Sequence, residues 1–247
     1  MRRIAIALSK GGVGKTTTAV NLAAGLAQAG QRVLLVDMDT QGQVAKSLGV
    51  QPEKGLAEVV AGEIPPAEGV QAVRPGLWIL AGGRGLTGLK RLIARKDFGA
   101  EQTVAESLAP LDGDFDFAII DTAPGWDSLT VNALFYAQEV LAPVALEVMA
   151  LQGLLEFNRS LDGVRRYHPE LRLGHILPTF MDRRVKKSEE ILGQLRTYFG
   201  ESLCDPIRYN VRLSEAPGYG QTIYEYAPRS VGVEDYKLLT ERILRNG

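Results

Sequence analysis

The 247-residue sequence contains one cysteine, Cys204, and two histidines. A single thiol excludes an intrachain disulfide framework, an all-cysteine zinc site and an iron–sulfur cluster held by one chain. Two imidazoles beside it leave too few ligands for a structural zinc, so Cys204 is expected as a small core or near-core residue. Long apolar runs are also missing. After Met1-Arg2-Arg3 only five apolar residues precede Ser9-Lys10, too few for a signal-peptide core. The most apolar later stretch, residues 140–146, ends at Glu147 and is far short of the roughly 20 residues a membrane helix needs. A cytoplasmic chain without membrane attachment is expected. Neither charge sign dominates: 28 Lys+Arg stand against 29 Asp+Glu, a formal net charge of −1. That balance argues against a wholly basic nucleic-acid coat and leaves local patches open.

Glycine is abundant, with 27 residues, well above the usual share of about 7%. With 45% of residues hydrophobic, the excess points to tight strand–helix turns and not to disorder. Strands are expected at residues 3–8, 32–37, 77–81, 115–121, 140–146 and 173–179. Several are nearly continuous apolar runs, as strands buried on both faces are. Helical spacing links Leu154, Phe157, Leu161 and Val164, and later Val233, Tyr236, Leu239 and Ile243. Such alternation predicts right-handed crossovers and a parallel sheet covered by helices. Residues 62–76, with Pro65-Pro66 and Pro75, form the loosest stretch and are expected as a surface excursion. With no internal repeat or low-complexity linker, a single domain over 1–247 is expected.

The segment Ser9-Lys10-Gly11-Gly12-Val13-Gly14-Lys15-Thr16-Thr17 follows an expected strand and opens an expected helix. This is the context of a phosphate loop. Glycines let backbone N–H groups point at phosphate oxygens, reinforced by the positive helix end. Lys15 would reach the β- and γ-phosphates and the Thr16 hydroxyl would ligate Mg²⁺. Ser9 stands where the strict G-x-x-x-x-G-K-[ST] pattern has glycine. Two further strands end in acids. Val33-Leu34-Leu35-Val36-Asp37-Met38-Asp39 brings two carboxylates to a strand end, where ligands collect in doubly wound sheets. Phe117-Ala118-Ile119-Ile120-Asp121 delivers one toward Mg²⁺, and Thr122-Ala123-Pro124-Gly125 then makes a rigid turn able to sense the γ-phosphate. The fold class expected is α/β, a doubly wound, mostly parallel P-loop NTPase-like sheet with helices on both faces.

Lys10-Gly-Gly-x-Gly-Lys15-Thr-Thr resembles the deviant Walker A motif of the ParA/MinD group of P-loop ATPases. The resemblance implies that Lys10 crosses a dimer interface to the partner's phosphates, a cation acting in trans as an arginine finger does. It implies that Asp39 orients the attacking water and that Asp37 supports the metal site. The C-terminal part is also similar to ParA (Soj-type) partition ATPases, through Asn210-Val211-Arg212-Leu213-Ser214-Glu215-Ala216-Pro217, Gly220-Gln221-Thr222-Ile223 and Tyr226-Ala227-Pro228-Arg229-Ser230. The likeness runs from about Arg3 to Leu244. It implies an ATP-dependent sandwich homodimer that binds double-stranded DNA without sequence preference and associates with the nucleoid. Hydrolysis would be stimulated by a ParB-type centromere-binding partner.

By that resemblance, Arg184 and Arg212 contact DNA, with Lys186 and Lys187 beside them. From Asp182 to Arg212 there are seven basic and five acidic residues, a modest local excess suited to phosphates and not to bases. Base-side contacts are expected from Phe180, Met181 and Arg208. The family usually reads Ile-Pro-Arg-Asn where this chain has Ile207-Arg208-Tyr209-Asn210, so Arg208 and Tyr209 depart from the pattern. Gln152-Gly153 stands where Glu-Gly is common.

Competing readings are weaker. A MinD-type membrane ATPase should end in a basic amphipathic helix, whereas only four residues follow Ile243. A nitrogenase-iron-protein-like reductase needs two cluster cysteines. A metabolic synthetase should hold a small-molecule site in place of the basic patch. A positioning ATPase for a non-DNA cargo or a membrane-linked partner remains the alternative. With the first strand expected from residue 3, no N-terminal helix-turn-helix is expected.

Overall fold

The computed structural model describes residues 1–182 and 184–245. Seven strands form one sheet: β1 (Arg2–Ile6), β2 (Val33–Met38), β3 (Val70–Arg74), β4 (Leu77–Leu80), β5 (Phe117–Thr122), β6 (Glu139–Ala145) and β7 (Arg172–Thr179), in the order β3-β4-β2-β5-β1-β6-β7. All neighbours run parallel except the β3–β4 pair. The mostly parallel α/β architecture expected from the apolar runs is therefore present.

Those runs are continuous because both faces are covered. Along β2, Leu34 and Val36 enter one hydrophobic core and Val33 and Leu35 the other. On the second face lie the helix Lys15–Gln28 and the C-terminal helix Val231–Arg245. A Cβ on Gly25 would collide with Thr240 Oγ1 and Tyr224 OH, so close approach of the packed helices requires glycine there. On the first face, Leu154, Phe157, Leu161 and Val164 of helix Ala150–Arg165 are all buried, as their spacing predicts.

Residues 62–76 differ from expectation. They hold the helical turn Pro66–Gly69 and then β3, which pairs antiparallel with β4 across Pro75-Gly76. Gly76, at φ 73°, supplies the left-handed turn residue. β3 has one neighbour and a half-exposed face, so it carries Gln71 and Arg74 and lacks the apolar signature of the inner strands. Among the described residues no helix is long and apolar enough to cross a membrane. Asn246 and Gly247, the end of the expected C-terminal tail, lie outside the described residues.

β1 runs between β5 and β6, and the chain leaves β1 for β2 on one side while β6 and β7 lie on the other. Such a switch point opens a crevice at the carboxyl ends of the strands. The β2–β5 register places Asp37 beside Asp121 at that end.

Candidate nucleotide site

The crevice is a cavity of about 430 Å³. Gly11, Gly12, Gly14, Lys15, Thr16 and Thr17 line one end. Gly12 and Gly14 have φ of 73° and 88°, a left-handed backbone that side-chain-bearing residues rarely adopt. Gly14 caps helix Lys15–Gln28 without a side-chain hydrogen bond, so the N–H groups of the first turn face the cavity as an anion site. Val13, also expected at the nucleotide, is buried in the core, and its carbonyl accepts from Thr179 Oγ1 at 3.0 Å. Lys15 folds back over the loop and donates to Lys10 O at 2.8 Å. Burial lowers its pKa, and Asp121 and Asp39 act in the opposite direction.

Asp121 and Asp39 act on this lysine, and Asp37 lies beside Asp121. Asp121 is fully buried at the end of β5 and accepts from Thr16 Oγ1 at 2.7 Å through Oδ2. Its Oδ1 is buried with no hydrogen-bond partner among the described residues. Burial raises the Asp121 pKa well above the usual carboxylate range, and the neighbouring Asp37 adds to the rise; the Thr16 hydrogen bond opposes it. Asp37 is likewise buried and accepts from Asp39 N at 2.9 Å and Val44 N at 3.2 Å. Burial pushes it to about 7 despite those two bonds. Asp37 thus sits behind the cavity and organises the loop after β2, while Asp39 is half-buried in the cavity wall.

An orphaned carboxylate oxygen beside a threonine hydroxyl, with the Asp37 carboxylate next to it, fits a hard divalent cation. Thr16 and Asp121 are the residues that would hold Mg²⁺, with Asp37 backing them. Among the described residues no cluster of three or more His, Cys, Asp or Glu could hold a metal ion.

Thr122 and Pro124 belong to the turn expected at the γ-phosphate, whereas Tyr236 and Gly82 carried no sequence signal for this site. Thr122 donates to Ile6 O at 2.9 Å and lines the cavity with Pro124. Tyr236, read as part of a helical core stripe, is buried and also reaches the cavity; its OH lies 3.3 Å from Thr18 Oγ1. Gly82 is needed because a Cβ there would strike the Asp37 backbone and carboxyl group.

Thr179 and Phe180 pack next to the phosphate loop, and Ile207, Arg208, Tyr209, Asn210, Leu213 and Ser214 complete the far wall. Phe180 therefore lines the cavity, as expected. Met181 does not: its side chain is in the core, because its bridge to Arg208 turns it away from the cavity. Arg208 borders the cavity, yet its guanidinium is committed to Asp235 and Glu234.

Lys10 does not line this cavity. Its Nζ donates to Glu147 Oε2 at 2.9 Å, beside a second groove bordered by Trp126 and Met149. The expected DNA-contacting residues lie on the surface. Arg184 pairs with Asp182, Arg212 with Glu215 and Lys187 with Glu190, while Lys186 opens helix Lys186–Phe199. Arg183 lies outside the described residues. The Met181–Arg208 bridge joins the stretch before Arg184 to the stretch before Arg212.

Residues 1–173 match the family described as AAA domain. The chain is 42% identical over 246 residues to the chromosome-partitioning ATPase Soj of Thermus thermophilus, covering 99% of this chain and 96% of that protein. It is 35% identical to the chromosome partitioning protein ParA of Caulobacter vibrioides, over 99% of this chain and 94% of that one. The chain belongs to the Soj/ParA family of P-loop ATPases. Its fold superposes on a Mycobacterium smegmatis protein named cobyrinic acid a,c-diamide synthase, solved with ADP and magnesium, at TM-score 0.85. That protein is 32% identical, with 100% of this chain and 95% of that chain covered. The cell division ATPase MinD of Pyrococcus furiosus shares the fold at TM-score 0.81 and 23% identity, over 100% and 99% of the two chains. As a Soj/ParA-family member the chain is an ATPase that uses ATP with Mg²⁺.

Proposed function

We propose that this protein is a DNA-partition ATPase, in which Mg-ATP closes two copies into a sandwich dimer that binds duplex DNA without sequence preference. A ParB-type centromere-binding protein would stimulate hydrolysis and release the dimer. The observation that carries this reading is Lys10. It directly precedes the phosphate loop, yet turns out of its own cavity to an exposed carboxylate. A cation so placed is available to a second copy. The names of the relatives, chromosome partitioning proteins over nearly the whole chain, supply the cargo.

In this mechanism the loop N–H groups and Lys15 hold the β- and γ-phosphates. Thr16 and Asp121 orient the metal, which when bound neutralises charge on those phosphates. Asp39 holds the attacking water by its carboxylate, and Lys10 of the second copy stabilises charge developing on the transferred phosphoryl group. Arg184, Arg212, Lys186 and Lys187 contact DNA phosphates, and pairing two copies doubles their number. The protein then works in the cytoplasm, on the nucleoid and away from the membrane.

The test is binding to nonspecific duplex DNA with ATP, ADP or no nucleotide, across a salt series. Tight binding only with ATP, weakening steeply with salt, is expected. Binding indifferent to nucleotide, or none at any salt, overturns the DNA reading in favour of another cargo.

A further inference from the structure

The far wall of the nucleotide cavity and the stretch around Phe180 have little regular structure of their own. Ile207 N donates to Pro178 O at 2.8 Å, Met181 N to Ile207 O at 3.0 Å, and Tyr209 N to Met181 O at 2.9 Å. The first bond reaches the last residues of β7, and the other two form an isolated bridge just beyond its end, not a strand. Phe180, at φ 57°, is held in a left-handed conformation unusual for an aromatic residue. Such a wall needs an external anchor to keep one geometry.

Arg208 provides it. Its backbone N donates to Asp235 Oδ2 at 2.8 Å, Nε to Asp235 Oδ1 at 2.9 Å and Nη2 to the same oxygen at 2.6 Å. Nη2 also reaches Glu234 Oε2 at 2.8 Å and Val231 O at 3.3 Å. The Asp235 side chain is only 5% exposed while Arg208 is 31% exposed, so the pair is a multidentate clamp on a buried carboxylate, reached by a half-buried guanidinium. Asp235 sits on helix Val231–Arg245, and the next residue, Tyr236, lines the cavity and touches Thr18 of the phosphate-loop helix. One helix therefore grips the far wall and touches the helix behind the phosphate loop.

We propose that Arg208 is a positioning residue: the Arg208–Asp235 clamp docks the 207–210 wall onto the C-terminal helix and presets the cavity for the nucleoside end of ATP. The clamp acts through wall geometry, since these guanidinium donors are committed to carboxylates and a carbonyl. Losing it leaves the wall to be ordered by the nucleotide itself, which weakens binding. The phosphate loop, Thr16 and Asp121 stay in place, so the chemical step is preserved. This inference rests on the nucleotide site and not on the DNA reading. Its test uses no DNA, so either can fail alone.

The experiment measures KM and kcat for ATP hydrolysis in Arg208→Ala, Arg208→Lys, Asp235→Asn and the double variant Arg208→Ala with Asp235→Ala. Circular dichroism confirms folding. KM is expected to rise about tenfold in Arg208→Ala and Asp235→Asn, and less in Arg208→Lys, with kcat within about twofold of the parent. The double variant should be no worse than Arg208→Ala, because the two residues act as one contact. A fall in kcat, an unchanged KM, or additive effects in the double variant overturns the proposal. Should Arg208→Ala fail to fold, Asp235→Asn decides by the same split, since it keeps the side-chain shape.

Discussion

Thr16 Oγ1 donates to Asp121 Oδ2 at 2.7 Å, across 105 positions of sequence, while Asp121 Oδ1 lies buried with no partner among the described residues. A carboxylate buried without a partner for one oxygen is costly by itself and useful to a bound cation. Asp121→Asn should therefore raise the thermal midpoint of the nucleotide-free protein, by about 2–4 °C for each kcal/mol recovered. The same variant should lower Mg-dependent ATP hydrolysis by about a hundredfold. Calorimetry and phosphate release check the two halves; a less stable variant would contradict the first.

Asp39 lines the cavity but takes no part in the Thr16–Asp121 contact. Asp39→Ala should keep ATP binding and accumulate as an ATP-bound dimer on size exclusion, with hydrolysis reduced about a hundredfold. A variant hydrolysing at the parental rate removes Asp39 from its role.

Arg184 and Arg212 are exposed and paired with nearby acids, so their loss costs little stability. The double variant Arg184→Ala with Arg212→Ala should keep the ATP dimer and lose DNA. Where residual binding is measurable, the log–log salt slope should shrink by about one unit per phosphate contact removed. An unchanged slope in a gel-shift titration would take these residues out of the interface.

At the opposite end of the sheet, buried Glu139 accepts from Arg2 at 2.7 and 2.9 Å, with Arg172 at 3.0 Å and His175 at 3.4 Å. Burial alone would raise its pKa, but hydrogen bonds from His175, Arg2 and Arg172 outweigh it and hold the carboxyl far below its ordinary 4.5. A folded-state pKa below the unfolded one means stability that is full above pH 4.5 and lost as pH falls. Glu139→Gln should cost about 3 kcal/mol near neutral pH and flatten the acid limb of the stability curve. Urea titrations between pH 7 and about 3 measure both.

Much of this was legible in the chain. The Lys10–Thr17 loop, the acids after the apolar runs and the helical stripes are local patterns. Local sterics and periodicity decide them. β3 was not legible, because an edge strand with polar residues carries no distinctive pattern. Helical spacing places Tyr236 in the core, and the family resemblance makes Met181 a base contact. The first proved to be core and cavity wall at once, and the second turned inward through its bridge to Arg208.

The sequence alone determined that the protein has a phosphate loop between a buried strand and a helix, followed by acidic strand ends on a parallel sheet. Those features depend on residues within a few positions of one another. Only the tertiary structure decided that Asp37 stands beside Asp121, that Lys10 reaches Glu147 and leaves its own cavity, and that Arg208 grips Asp235. These partners are far apart in the chain. Strand order and helix packing, not any local pattern, bring them together.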